Sequence, residues 1–115
     1  MRSTLSYSFG KVGVEEVSLK EAYESAKSTG MSILGSLKRE LGSLDLVTAW
    51  LHVRGMVNVI PGFKQTTNVI NGFSDLILKL YGREVGMRAR SAVGVQSLAL
   101  DAPLIIECVV EIKVR

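Results

Sequence analysis

Apolar and polar residues alternate along this chain with two periods, one of three to four residues and one of two, and the switches between them mark its elements. From Ser18 onward, Leu19, Ala22, Tyr23, Ala26, Met31, Ile33, Leu34, Leu37 and Leu41 recur at the spacing of one buried helical face. Ser18 with Glu21 three residues later reads as a capping box, and Gly42 supplies a left-handed stop, so the pattern predicts a helix over 18–41. Gly30 falls inside it, where glycine costs about 1 kcal/mol relative to alanine. Close packing against a neighbour, or a mild bend, would account for it.

The next segment, "LDLVTAWLHVRG", changes to the two-residue period of a strand. Val47, Ala49, Leu51 and Val53 fall on one side, with Thr48, Trp50, His52 and Arg54 on the other. A tryptophan on the more polar side predicts that this face is covered as well. A second helix is predicted over 63–81, with Ile70, Phe73, Ile77, Leu80 and Tyr81 inward and Gly82 as its stop. Asn68, Asn71 and Gly72 weaken its propensity, so tertiary contacts must hold it, and a polar side chain there has a reason other than helix strength. Two strands follow. "RSAVGVQSL" is one; "PLIIECVVEIKV" is the other, with Leu104, Ile106, Cys108, Val110, Ile112 and Val114 opposite Ile105, Glu107, Val109, Glu111 and Lys113. The turn "ALDAP" joins them most simply as antiparallel neighbours. Upstream, "TLSYSFGKVGV" offers a weak strand. The resulting order, weak strand, helix, strand, helix, strand, strand, predicts an α+β layer with two helices on one face of a small sheet.

Composition narrows the class. At 115 residues, 47% apolar and 22% charged, the chain suits one folded domain rather than disorder. Its net charge of +3 comes from basic residues interleaved with Glu and Asp, which argues against a dedicated nucleic-acid partner. The single cysteine, Cys108, rules out an intrachain disulfide or a cysteine metal cluster and fits a reducing compartment. "MRSTLSYSFG" has no signal core and no run approaches membrane-spanning length, so a cytoplasmic location and no membrane partner are expected. His52 has no HxxxH or CxxC company, and "GKVG" is too short for a phosphate loop, so neither metal nor cofactor is expected.

What chemistry remains centres on "GMRARSAVGV". An arginine at a strand start, Arg88 or Arg90, can fork onto a carboxylate with two parallel hydrogen bonds. The ordinary reading of such an arginine is a solvated or salt-bridged strand-end charge paired with Glu107 or Glu111. Cys108 falls on the apolar parity and reads as a small buried thiol.

The stretches "SLKEAYESAKSTGMSILGSLKRELGSLDLV", "NVIPGF…VINGFSDLILKLYG", "RSAVGV" and "APLIIECVVEIKV" together resemble the RidA (YjgF/endoribonuclease L-PSP) family. They are most similar to its branch with a "VNSAPGF…VINGASDLLVEVFG" type of middle and a "HARSAVGV" type of arginine motif. The similarity runs from Gly10 to Val114 with order and spacing preserved. It implies a chorismate mutase-like α+β fold, a mixed sheet with two helices on one face. It also implies a homotrimer with the sheets inward and small-molecule sites in the clefts between subunits, which would cover the face assigned to Trp50. In the best-known branch the reaction is hydrolysis of enamine or imine intermediates, formed from amino acids by pyridoxal phosphate enzymes, to 2-keto acids and ammonia.

Carried over residue by residue, Arg90 matches the arginine that clamps the substrate carboxylate, and Asn71 aligns with an asparagine of the second helix near the cleft. Arg88 stays a surface or interface charge. Ala92 stands where the enamine-hydrolysing branch has a cysteine, and Ile105 where it has the water-positioning glutamate. Glu107 matches a second glutamate of the "EIEA" pattern, on the same strand face as Ile105 but about 7 Å further along. The resemblance makes 1–115 a single domain that begins after the family's usual N-terminal hairpin; Tyr7 and Ser8 fall near the end of that region and take no role. The expected function is binding of a small carboxylate or imine metabolite at subunit interfaces, with enamine/imine deamination as its enzymatic form. A non-catalytic ligand-binding or regulatory trimer is the alternative, and an endoribonuclease the third reading.

Overall fold

The computed structural model describes residues 10–13, 17–86 and 89–114. Most of the weak N-terminal strand, together with Tyr7, Ser8 and Arg88, lies outside the described residues. Helix α1 spans Leu19–Leu41 and opens on the expected capping box: the Glu21 N–H donates to Ser18 Oγ at 3.1 Å, and the Ser18 N–H to Glu21 Oε1 at 3.4 Å. It closes at Gly42, whose φ of 85° lets its N–H reach the Lys38 carbonyl. Its buried positions are mostly small, namely Ala22, Ser25, Ala26, Thr29 and Gly30, with Leu34 beyond them. Met31, expected inside, is 58% exposed. The buried stripe runs instead through Gly30 and Leu34, with Ile33, Leu37 and Leu41 partly buried against the core.

The second helix, α2, spans Thr66–Gly86. It begins three residues later than the pattern predicts because Pro61 and Gly62 form a turn closed by the Phe63 N–H on the Ile60 carbonyl. At Gly82 the backbone steps out of helical geometry, with φ 76°, before a last turn to Gly86. Ile70, Phe73 and Ile77 are buried as expected, whereas Leu80 is 55% exposed. Gly72 sits where α1 crosses: a Cβ there would overlap the Tyr23 carbonyl oxygen and touch Ala26. On the other helix, a Cβ on Gly30 would lie 2.9 Å from Leu76 and 3.1 Å from Phe73. Both glycines are therefore packing residues.

The sheet has the order β2-β1-β3, with β1 (Val47–Asn58) in the centre. Strand β2 (Arg90–Val95) runs parallel to β1, and β3 (Leu104–Ile112) antiparallel on its other side. The last two strands are thus not neighbours, contrary to the simplest reading of "ALDAP". Helix α2 is a crossover that returns the chain alongside the middle of β1, at Val53, so the following strand pairs in parallel and occupies that edge of β1. The chain then passes the end of β1 through Leu100 and Asp101, both left-handed at φ 57° and 55°. Fully buried Asn58 fastens this passage, donating from Nδ2 to the Ala102 carbonyl and Asp101 Oδ1 while its backbone N–H binds the Pro103 carbonyl.

Trp50 also departs from expectation. It is fully buried beneath the helices, edge-on to Phe73 at 5.9 Å and Tyr81 at 5.7 Å, while Leu51 turns outward. The β1–β3 register slips twice, between Val47 and Ala49 and between Trp50 and His52, so Thr48 and Leu51 are extra residues relative to β3. Each bulge reverses the alternation, which is why a strict two-residue period places this tryptophan on the wrong side. Its cover is the chain's own helical layer. On β3 the alternation holds: Leu104, Ile106, Cys108 and Val110 pack toward the helices.

The contact at Gly72 yields a test. Gly72→Ala should raise intrinsic helix propensity yet destabilise the fold, by about 1–3 kcal/mol or more, because the obstacle is backbone rather than a flexible side chain. Urea unfolding of the variant measures this; unchanged or increased stability would mean the helices do not meet there.

Candidate functional site

Arg90 is the first residue of β2, and its pairing with buried Val53 places it on the helix side of the sheet. Across from it, Asn71, Ser74, Asp75 and Leu78 share one stripe of α2 by their three-and-four spacing. The half-buried guanidinium donates from Nη1 to Asn71 Oδ1 at 2.7 Å and to Ser74 Oγ at 2.8 Å. Thr66 ties the start of the same helix to the same strand, its hydroxyl donating to the Ala92 carbonyl. Among the described residues no carboxylate pairs with Arg90. Glu111 instead accepts from Thr48, and Glu107 sits in register with Arg54 on the far side of the sheet. Both partners of the arginine are neutral, so they aim its charge without cancelling it, and the remaining guanidinium donors are left for an anion.

The arginine opens onto a depression of about 360 Å³ lined by Asn71, Ser74, Asp75, Leu78, Arg83 and Arg90. A shallower hollow of about 520 Å³ adjoins it, lined by Leu19, Lys20, Tyr23, Asn68, Asn71 and Asp75. Asn71 and Asp75 belong to both. The Tyr23 hydroxyl donates to Asp75 Oδ2 at 2.7 Å across the helix pair, and this bond to a carboxylate raises the phenol above its ordinary pKa.

The structure therefore brings two of the three expected site residues together, Arg90 and Asn71. Glu107 lies on the open sheet face, beside a 200 Å³ hollow lined also by His52, Arg54, Cys108 and Val109. Ile105 shares that open face, in register with Met56. Ser74, Asp75 and Arg83 join the site without having been singled out in the sequence. The first two could have been found: a serine and an aspartate three and four residues after Asn71 must share its helical stripe. Among the described residues no group of His, Cys, Asp or Glu is arranged to hold a metal ion, and no helix is long and apolar enough to cross a membrane.

Two helices on one face of a mixed three-stranded sheet, with this element order, define an α+β protein of the YjgF-like fold. A Shewanella oneidensis MR-1 structure, described provisionally as an endoribonuclease, superposes with a TM-score of 0.84 over 97% of this chain and 72% of that one; at 21% identity the likeness shows the fold alone. The crystal structure of the Agrobacterium tumefaciens protein Atu1372, whose function is unknown, matches with a TM-score of 0.86 and 36% identity, covering 92% of this chain and 67% of that one. The chain belongs to the same family as Atu1372. It is also 34% identical over 104 residues to Protein TCP17 of Trypanosoma cruzi, matching over 90% of this chain and 64% of the length of that protein. No family model matches.

Cys108, expected as a small buried thiol, is partly buried beside the core. Burial pushes its pKa up. The folded chain keeps this proton where an unfolded cysteine, with a pKa of about 8.5, has lost it; the associated stability is complete below that pH and declines as pH rises through it. Alkylation by iodoacetamide at pH 8.5 should accordingly run at least about tenfold slower on folded protein than in urea. Equal rates would place the thiol in solvent.

Proposed function

We propose that this chain is a RidA-type protein whose Arg90 holds a small carboxylate or imine metabolite, in a cleft completed by another subunit of a homotrimer. The observation that carries the reading is the guanidinium itself: positioned by Asn71 and Ser74, matched with no carboxylate among the described residues, and facing open space. A charge oriented by neutral acceptors still gains from a carboxylate ligand, and a two-point grip fixes that ligand's plane. Apolar residues on the helix-free face of the sheet, Val93 at 45% exposure and Val109 at 57%, support subunit packing there.

In the enzymatic form of the proposal the bound species is a 2-imino acid. Water adds to the imine carbon, the nitrogen takes up protons and leaves as ammonia, and the carbon keeps the oxygen as a 2-keto acid. Such imines hydrolyse readily once oriented, so the site must mainly hold the carboxylate and admit water. Ile105, an apolar residue on the opposite sheet face from Arg90, supports the second reading, in which the same cleft binds a carboxylate without turnover. RNA cleavage has less support: His52, the chain's one histidine, lies on the open face, away from Arg90.

Titration calorimetry with pyruvate tests the core of the proposal. Wild type should bind, and Arg90→Ala should weaken binding by at least about tenfold while light scattering still reports a trimer. Binding that is absent in wild type, or undiminished in the variant, would overturn it. Release of keto acid from enzymatically generated 2-aminoacrylate, faster than in buffer and lost in Arg90→Ala, separates the enzyme from the non-catalytic module.

A further inference from the structure

We infer that Asp75, held by Tyr23, is the group that recognises a cationic nitrogen on the ligand whose carboxylate Arg90 grips. The inference rests on the carboxylate reading of Arg90 and assigns the other end of the same ligand. Asp75 and Arg90 line one depression with opposite charges. Among the described residues they form no ion pair, although Asn71, one helical turn from Asp75 on α2, bonds Arg90 directly. Two opposite charges that face a common space and stay apart leave room for a small zwitterion between them. An α-amino or α-imino acid carries its anionic and cationic groups on adjacent carbons and can touch both walls at once.

Asp75 is also prepared for this contact. Its Oδ2 accepts from the Tyr23 hydroxyl, which spans from α1 and fixes the carboxylate orientation, while Oδ1 has no hydrogen bond among the described residues. A neutral phenol donor orients the carboxylate as Asn71 and Ser74 orient the guanidinium, without cancelling its charge. A bare keto acid offers nothing to this oxygen and meets only its repulsion. The site should therefore prefer the nitrogen-bearing member of a pair that shares one carbon skeleton.

Pyruvate and L-alanine are such a pair, alanine standing for the cationic nitrogen in a stable form. Wild type should bind alanine at least about tenfold more tightly than pyruvate, as a charge-assisted hydrogen bond supplies. Asp75→Asn should lose that preference by weakening alanine and leaving pyruvate unchanged or tighter. Tyr23→Phe, which keeps the carboxylate but frees it, should lower the preference partway. Equal wild-type affinities, or an Asp75→Asn variant that weakens both ligands alike, would overturn the assignment while leaving Arg90 as the carboxylate grip. Binding of neither ligand would overturn both.

Discussion

The close approach of the α1 backbone at Tyr23 to Gly72 governs how α2 is rotated, and the rotation of α2 decides what the rest of the molecule can do. With 3.6 residues per turn, Gly72 and Val69 face one way, Ile70, Phe73 and Ile77 a second, and Asn71, Ser74, Asp75 and Leu78 a third, the three directions lying roughly 120° apart. Pressing the first against α1 sends the second into the core around Trp50, and the third is left for the edge strand β2. The same crossing brings the Tyr23 side chain from α1 onto Asp75 of α2. A side chain at position 72 would push the helices apart and disturb all three contacts together.

The edge position of Arg90 matters for a related reason. A guanidinium buried in the middle of the sheet would need a carboxylate to offset its desolvation, and such a pair would be closed to other anions. At the edge it stays half-solvated, and two neutral acceptors suffice to orient it. Ser74, almost completely buried, could be a small apolar residue as far as core packing is concerned; its hydroxyl accounts for itself through Arg90. The parallel crossover makes this geometry possible, because it returns the chain so that the first residue of β2 meets the middle of α2.

The elements themselves were largely readable from the residues, since they are set by local chemistry: the capping box at Ser18, the left-handed glycines at 42 and 82, and the change of period at Val47. Trp50 was not, because a bulge is defined only against a partner strand, and Thr48 and Leu51 look like ordinary strand residues until β3 is placed beside them. The sheet order escaped for the same reason; "ALDAP" is short enough for a hairpin, and only the placed strands show that β3 pairs with β1 while the outer edge of β2 carries no strand among the described residues. Within the site, residue types alone favoured a strand-end ion pair for Arg90 over a ligand grip. The resemblance to the RidA family favoured the grip. Ser74 and Asp75 lie off the apolar stripe of α2, and only their three- and four-residue spacing from Asn71 marks them.

The two faces of the sheet divide the polar chemistry of the chain. Arg90 points toward the helices with Asn71 and Ser74, while Glu107, His52 and Arg54 are on the open face, and a strand's alternation makes the division rigid because no rotamer carries a side chain through the sheet. A second polar group that acts on a ligand at Arg90 must then come from the helix side, from the stripe of α2 or from Arg83 beyond it, or else from another chain laid against the site. Within this chain Asp75 meets that requirement and Glu107 does not. The same division explains how Ile105 is tolerated at its position: an apolar residue in register with Met56 adds to the surface available for association, and it takes nothing from the donors that surround the guanidinium.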